Sequence, residues 1–136
     1  MSKGVYCLVL NLEKEMKLKI GRRLFSLPQG FYCYVGSALN NLEKRIERHL
    51  SKKKKRHWDI DHLTEKASVV HFKKLPTDKK IECMVSDRIK KLADDMIHGF
   101  GASDCKCKSH LHYFRESPLF RKDFHEVFEE MKSDKT

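Results

Sequence analysis

The chain has 136 residues, with 29 Lys+Arg against 19 Asp+Glu and a net charge of +10. This length suits one domain, which can bury roughly two thirds of its unfolded surface. No apolar run reaches the about 18 residues of a membrane span, and Lys14, Glu15, Lys17 and Lys19 leave no room for a hydrophobic signal region. No membrane partner is expected, and residence in the cytoplasm is.

Residues 4–10 (GVYCLVL) are nearly all apolar and rich in β-formers, the pattern of a buried strand. Residues 17–27 read as a hairpin with Gly21 at its turn, and Pro28-Gln29-Gly30 as a further turn. Residues 31–36 (FYCYVG) form the next strand, ended by Gly36. From Ser37 to Leu50 the period becomes helical, with Leu39, Leu42, Ile46 and Leu50 in one stripe. Arg45 and His49 lie one turn apart on its shoulder.

Lys52, Lys53, Lys54, Lys55 and Arg56 follow as an unbroken basic run. A run of this kind on a basic domain suits a polyanion such as DNA or RNA, although alone it reads equally well as a solvated loop. Residues 57–66 read as a short helix with Trp58 and Leu63 inward, and residues 68–75 as a strand ended by Pro76. A third helix is expected over residues 78–96, with Ile81, Val85, Ile89, Leu92 and Met96 as its stripe and Glu82 at the stripe's edge. A Gly-rich loop, a strand over residues 109–114 and an amphipathic helix over residues 117–131 complete the chain. The expected fold is α+β: a small, mostly antiparallel sheet flanked by helices, in one domain over residues 1–136. Residues 97–136 are expected as a C-terminal extension packed on it.

The five cysteines are an odd count, which argues against a disulfide framework; Cys7 and Cys33 read as buried strand thiols. Cys105, Cys107 and His110 stand at a short spacing that suits zinc, with Cys83 or His112 as a fourth ligand. The plainer reading is a loop held by hydrogen bonds of Asp104 and Ser109. His57 and Asp61, one helical turn apart, would extend a site, contact DNA or make a structural pair beside Trp58.

One constellation carries chemistry. Hydrolysis of a phosphodiester needs an activated water, neutralised charge at the pentavalent phosphorus and a stabilised leaving oxygen. Tyrosine hydroxyls orient or deprotonate water when a cation lowers their pKa. An Arg fork fits phosphate oxygens, and one carboxylate can hold a Mg²⁺ that keeps several waters. Tyr6, Tyr34, Arg45, His49 and Glu82 supply these parts. Taken singly, each has a plainer reading: half-buried sheet tyrosines, a solvated helix shoulder, and a first-turn carboxylate complementing a helix dipole.

Gly4-Val5-Tyr6, Tyr34-Val35-Gly36, Arg45 with His49, and the late Glu82 stand in the order seen in the GIY-YIG nuclease superfamily, which this chain resembles over about residues 4–96. YCYVGSAL, RIERHL, HWDIDHL, IECMVSDRI and GFGASDCKCKSHLHYF further resemble an archaeal-type branch of that superfamily, sometimes fused to helix-hairpin-helix DNA glycosylases. The resemblance implies a metal-dependent endonuclease acting on DNA, in repair or on branched and flap structures, in association with repair enzymes. It implies that Tyr6 orients or deprotonates water and that Tyr34 assists it or polarises a phosphate oxygen. Arg45 would stabilise the phosphorane, His49 would act as acid/base or phosphate donor, and Glu82 would hold one Mg²⁺ or Mn²⁺. Arg48, residues 52–56 and His57 are expected to line the nucleic acid. Many members carry an Asn after the Glu helix; here no Asn follows Asn41, and Asp104 or another polar tail residue is the candidate substitute. Two alternatives are a non-catalytic nucleic-acid-binding module of the same fold and a zinc-stabilised interaction domain. If the nuclease expectation holds, Tyr6, Tyr34, Arg45 and Glu82 line one site.

Overall fold

The computed structural model describes residues 3–38, 41–51, 59–101 and 109–133. Strand β1 (Gly4–Leu12) is the spine of the molecule. Its side chains alternate between two cores, as the period of a strand dictates. Tyr6, Leu8, Leu10 and Leu12 enter one; Val5, Cys7 and Val9 enter the other. β1 pairs antiparallel with β4 (Gly30–Ala38) on one side and with β5 (Ser68–Pro76) on the other. Strands β7 (Leu111–Phe114) and β6 (Asp95–Met96) extend the sheet beyond β4 in the order β5-β1-β4-β7-β6. The hairpin expected over residues 17–27 is present as β2 (Met16–Ile20) and β3 (Arg23–Leu27), a separate two-stranded sheet.

The tyrosine face of the sheet is covered by this hairpin and two helices, α1 (Leu42–Leu50) and α2 (Asp59–Thr64). Leu42 and Ile46 of α1, and Ile60 and Leu63 of α2, are fully or nearly fully buried there. Asn41 caps α1, its side chain accepting from the Lys44 amide at 3.1 Å, a bond worth about 1 kcal/mol. The opposite face carries α3 (Glu82–Leu92) and α4 (Lys122–Ser133). Val85 and Ile89 of α3 and Phe124, Val127, Phe128 and Met131 of α4 form the second core with Cys7, Cys33 and Val35. The fold class is α+β, as the sequence leads one to expect.

Several boundaries differ from the sequence reading; α3 begins at Glu82 and α4 at Lys122, each a few residues later than expected. β4 runs through Gly36 to Ala38, because Ser37 and Ala38 still pair with Val5 and Gly4; the helix therefore starts at Leu42, and Leu50 at its end is exposed. α3 stops at Leu92, and the Asp94 amide bonds to the Tyr113 carbonyl at 2.9 Å. That bond draws the chain into the sheet, so Met96 pairs with His112 instead of extending the helix. Within residues 97–136, β7 takes an inner place in the sheet, between β4 and β6.

A buried pair, Ser86 Oγ with His112 Nε2 at 2.8 Å, ties α3 to β7. Burial pushes the His112 pKa down from 6.5 to about 4, with help from the neighbouring His110 and from the Lys90 charge. The folded state thus resists a proton that the unfolded chain accepts. Stability is complete above the unfolded value and falls as pH drops from 6.5 towards about 4, by up to roughly 3 kcal/mol in total. His112→Gln keeps a polar group near Ser86 but cannot titrate. Urea midpoints of the variant should lose this part of the acid dependence, whereas equal slopes in both proteins would contradict the assignment.

Candidate active site

The two glycine–tyrosine tripeptides face each other across β1 and β4. Tyr6 pairs with Gly36, and Leu8 with Tyr34, so both phenols lie on one face as diagonal neighbours. Their ring centroids are 6.3 Å apart. The glycine opposite Tyr6 has a steric reason: a Cβ on Gly36 would overlap the Tyr6 hydroxyl, so the phenol lies where that side chain would be. Tyr34 is held similarly by Gly101, whose φ of +66° suits glycine and whose Cβ would stand 2.9 Å from Tyr34 Cε1.

Helix α1 brings Arg45 and His49 to the same phenols. His49 is 1 % exposed, and its Nε2 lies 2.7 Å from Tyr6 Oη. Its ring packs 5.1 Å from that of Tyr6 and 6.5 Å from that of Tyr34. Arg45 Nη1 donates to the Ser37 carbonyl at 3.0 Å, which holds the guanidinium beside the end of β4. From there it acts on the Tyr6 hydroxyl by charge and by hydrogen bonding, in the direction that favours the phenolate. The sequence reading expects a cation to lower the tyrosine pKa, but burial is the larger effect. It pushes the Tyr6 pKa well up, with smaller contributions from the Glu82 and Asp61 charges, and Arg45 only partly offsets it. Tyr34 is pushed up too, again first by burial and then by Tyr6 and Glu82. Both hydroxyls are therefore neutral donors at physiological pH.

Asp61, on α2, is wholly buried beneath this group. Arg48 grips it with both nitrogens, at 2.8 and 3.0 Å, and His49 Nδ1 lies 3.9 Å from Asp61 Oδ1. The sequence reading expects Arg48 on the nucleic acid; in the structure its two-pronged fork is paired with the buried Asp61 carboxylate while the side chain stays partly exposed. Asp61 thus holds Arg48 and faces His49.

Glu82 comes from the other layer. The body of α3 packs on the face away from the tyrosines, but Glu82 is its first residue and lies at the sheet's edge. Its Oε1 is 3.7 Å from His110 Nδ1. His110 Nδ1 in turn lies 3.0 Å from the Val35 carbonyl, between Tyr34 and Gly36. From this edge the Glu82 charge reaches both tyrosine hydroxyls. Tyr6, Tyr34, His49, Arg45 and Glu82 thus form one electrostatically coupled group. The rings are covered, while Arg45 and Glu82 are partly exposed and make its open side.

Residues 52–56, His57, Asp104, Cys105 and Cys107, all singled out by the sequence, lie outside the described residues. His110 is described, and it meets Cys83 (Sγ to Nε2, 3.9 Å) as well as Glu82. His112, the other fourth ligand considered for zinc, turns to Ser86 instead.

Sequence reasoning missed a second network that shapes the site. Arg23 of β3 binds Asp59 of α2 at 2.6 and 2.9 Å, and Asp59 accepts from the Gly101 amide at 3.0 Å. This pins the hairpin to α2 and fixes the loop that backs Tyr34. Arg23, Asp59 and Gly101 are far apart in the chain, so no spacing announces them. The Gly-rich segment Gly99-Phe100-Gly101 was the cue in the sequence, and Gly101 takes a positive φ in the structure.

No curated protein and no solved structure matches the chain. One family does, over residues 5–133, and this span takes in every described residue of the site. The chain belongs to that family, described as Domain of unknown function DUF123.

Proposed function

We propose that this protein is a metal-dependent DNA endonuclease of the GIY-YIG type, with Tyr6, Tyr34, Arg45, His49 and Glu82 as its working residues. The observation that carries the reading is the 2.7 Å contact between Tyr6 Oη and His49 Nε2, beside the guanidinium of Arg45. A buried, neutral tyrosine is a poor base by itself. It becomes an adequate one if its own proton can leave as it takes another. With His49 neutral and protonated on Nδ1, Nε2 accepts the phenol proton while Oη removes one from the attacking water. Asp61 faces the Nδ1 side, where a carboxylate favours that tautomer and the imidazolium that follows.

Arg45 is placed to meet the negative charge that grows on the phosphorane. Tyr34 supplies a second neutral hydroxyl to orient the water or a phosphate oxygen. Glu82 offers a partly exposed carboxylate with room for waters around it, which fits a Mg²⁺ or Mn²⁺ site of one protein oxygen. Such an ion, when bound, would supply Lewis-acid neutralisation of the phosphate.

A non-catalytic nucleic-acid-binding module is the second reading. It is favoured by the absence of any Asn beyond Asn41 and by the near-complete burial of Tyr6 and Tyr34, 2 % and 7 % exposed. A cleavage screen separates the two. Single-stranded, duplex, flap and branched DNA, with RNA as comparison, are incubated with Mg²⁺ or Mn²⁺. The nuclease reading expects divalent-dependent cutting of at least one DNA; binding without cutting supports the module.

Either reading expects the basic run of residues 52–56 to contact phosphates. With roughly three to five contacts, log K on duplex DNA should fall with log[salt] at a slope of about −3 to −4.5. Replacing the run by serines should flatten the slope without unfolding the protein. An unchanged slope would reduce the run to a solvated segment.

A further inference from the structure

We propose that Glu82, Cys83 and His110 form a site for a zinc-class divalent ion, a thiolate–imidazole–carboxylate set at the start of α3. The three side chains place one ligand atom each within 4.8 Å of one another. Cys83 Sγ stands 3.9 Å from His110 Nε2. Ligand atoms around a tetrahedral zinc stand roughly 3.3–3.8 Å apart, given metal–ligand distances of about 2.0–2.3 Å. The thiol and imidazole therefore need to move by only a few tenths of an ångström. Glu82 is partly exposed and its Oε1 lies 3.7 Å from Nδ1 of the same imidazole, so its carboxylate must turn around the ring to reach an ion at Nε2.

The imidazole is already prepared. His110 is 2 % exposed, and its Nδ1 lies 3.0 Å from the Val35 carbonyl. A carbonyl only accepts, so Nδ1 carries the proton and Nε2 presents its lone pair. That lone pair is the one next to Cys83. A backbone oxygen on the far nitrogen is the outer support that metal-binding histidines commonly have. The donor set then selects the ion. A thiolate and an imidazole favour zinc over magnesium, which prefers oxygen. These are three protein ligands among the described residues, and a tetrahedral ion takes one more, from water or from protein. Cys7 and Cys33 do not compete, because both are buried in the second core.

The site goes beyond the hydrolytic reading and shares only Glu82 with it. It is tested without DNA, so the two stand or fall separately. The full chain, reduced and stripped of metal, is titrated with Co²⁺ and then with Zn²⁺ in competition. One equivalent should bind, with a thiolate-to-cobalt charge-transfer band in the near ultraviolet. Cys83→Ser should remove the band and weaken zinc by at least about 100-fold, since loss of an outer partner alone costs 10–100-fold. Circular dichroism should show it folded, because Cys83 lies outside both cores. Glu82→Gln should keep the band and bind zinc at least about tenfold more weakly. Wild type without the band, Cys83→Ser with wild-type affinity, or Glu82→Gln with unchanged affinity would each overturn the three-ligand assignment.

Discussion

Replacing Glu82 by Gln is expected to lower divalent-dependent DNA cleavage by about 10²–10³-fold, the usual effect of losing one preorganised electrostatic group. The substitution keeps side-chain volume at the first residue of α3 and touches neither core. Its structural effect is limited to the dipole complement of that first turn, about 0.3–1 kcal/mol. Melting temperature should hardly move. DNA binding should persist or tighten, since a negative charge beside the phosphate is gone. Arg45→Ala should lose cleavage by a similar factor if Arg45 is the cation that meets the phosphorane, as proposed. Cleavage rates at saturating DNA, read beside melting curves, check both. A variant that cuts as fast as wild type would place the chemistry elsewhere.

Tyr6→Phe should be as severe for a different reason. It removes one oxygen and leaves the ring in the space opposite Gly36. If Tyr6 and His49 pass one proton between them, each alone contributes about 10²–10⁴ in rate. The two losses should then not multiply: Tyr6→Phe with His49→Gln should be little slower than either single variant. The phenylalanine also leaves His49 Nε2 without its 2.7 Å partner in the core, which costs about 1–3 kcal/mol of stability. Rates must therefore be measured well below the melting temperature. Fully multiplicative losses would show that the two residues act independently and would remove the relay.

The strands and the tyrosine face were legible because β1 is short of polar residues and alternation is forced on it. The hairpin showed through Gly21, and β5 through its closing Pro76. The ends of helices were less legible. Residues 37–38 open the segment of helical period, but Ser37 and Ala38 find backbone partners in β1, and paired amides outweigh weak periodicity. Met96 fits the α3 stripe and goes to the sheet for a similar reason.

At the candidate site, the residue types were readable and their ionisation was not. Arg45 near Tyr6 argues for a lowered tyrosine pKa; only the structure shows how fully the ring is buried, and desolvation decides the direction. The Arg48–Asp61 pair was equally hidden. Both residues look like solvent-facing charges on short helices until α1 and α2 are laid side by side. Glu82 and His110 meet at the edge of β4 only because β7 ends there, a matter of sheet order that the local pattern does not carry.

The most direct test is a single cleavage assay with three arms. Wild type in Mg²⁺, wild type with chelator, and a Tyr6→Phe/Glu82→Gln protein purified in parallel are run on the DNA panel. The proposed nuclease predicts cutting in the first arm only, with the double variant at least about 100-fold slower. Intact DNA in every arm, or equal cutting by wild type and the double variant, would contradict it.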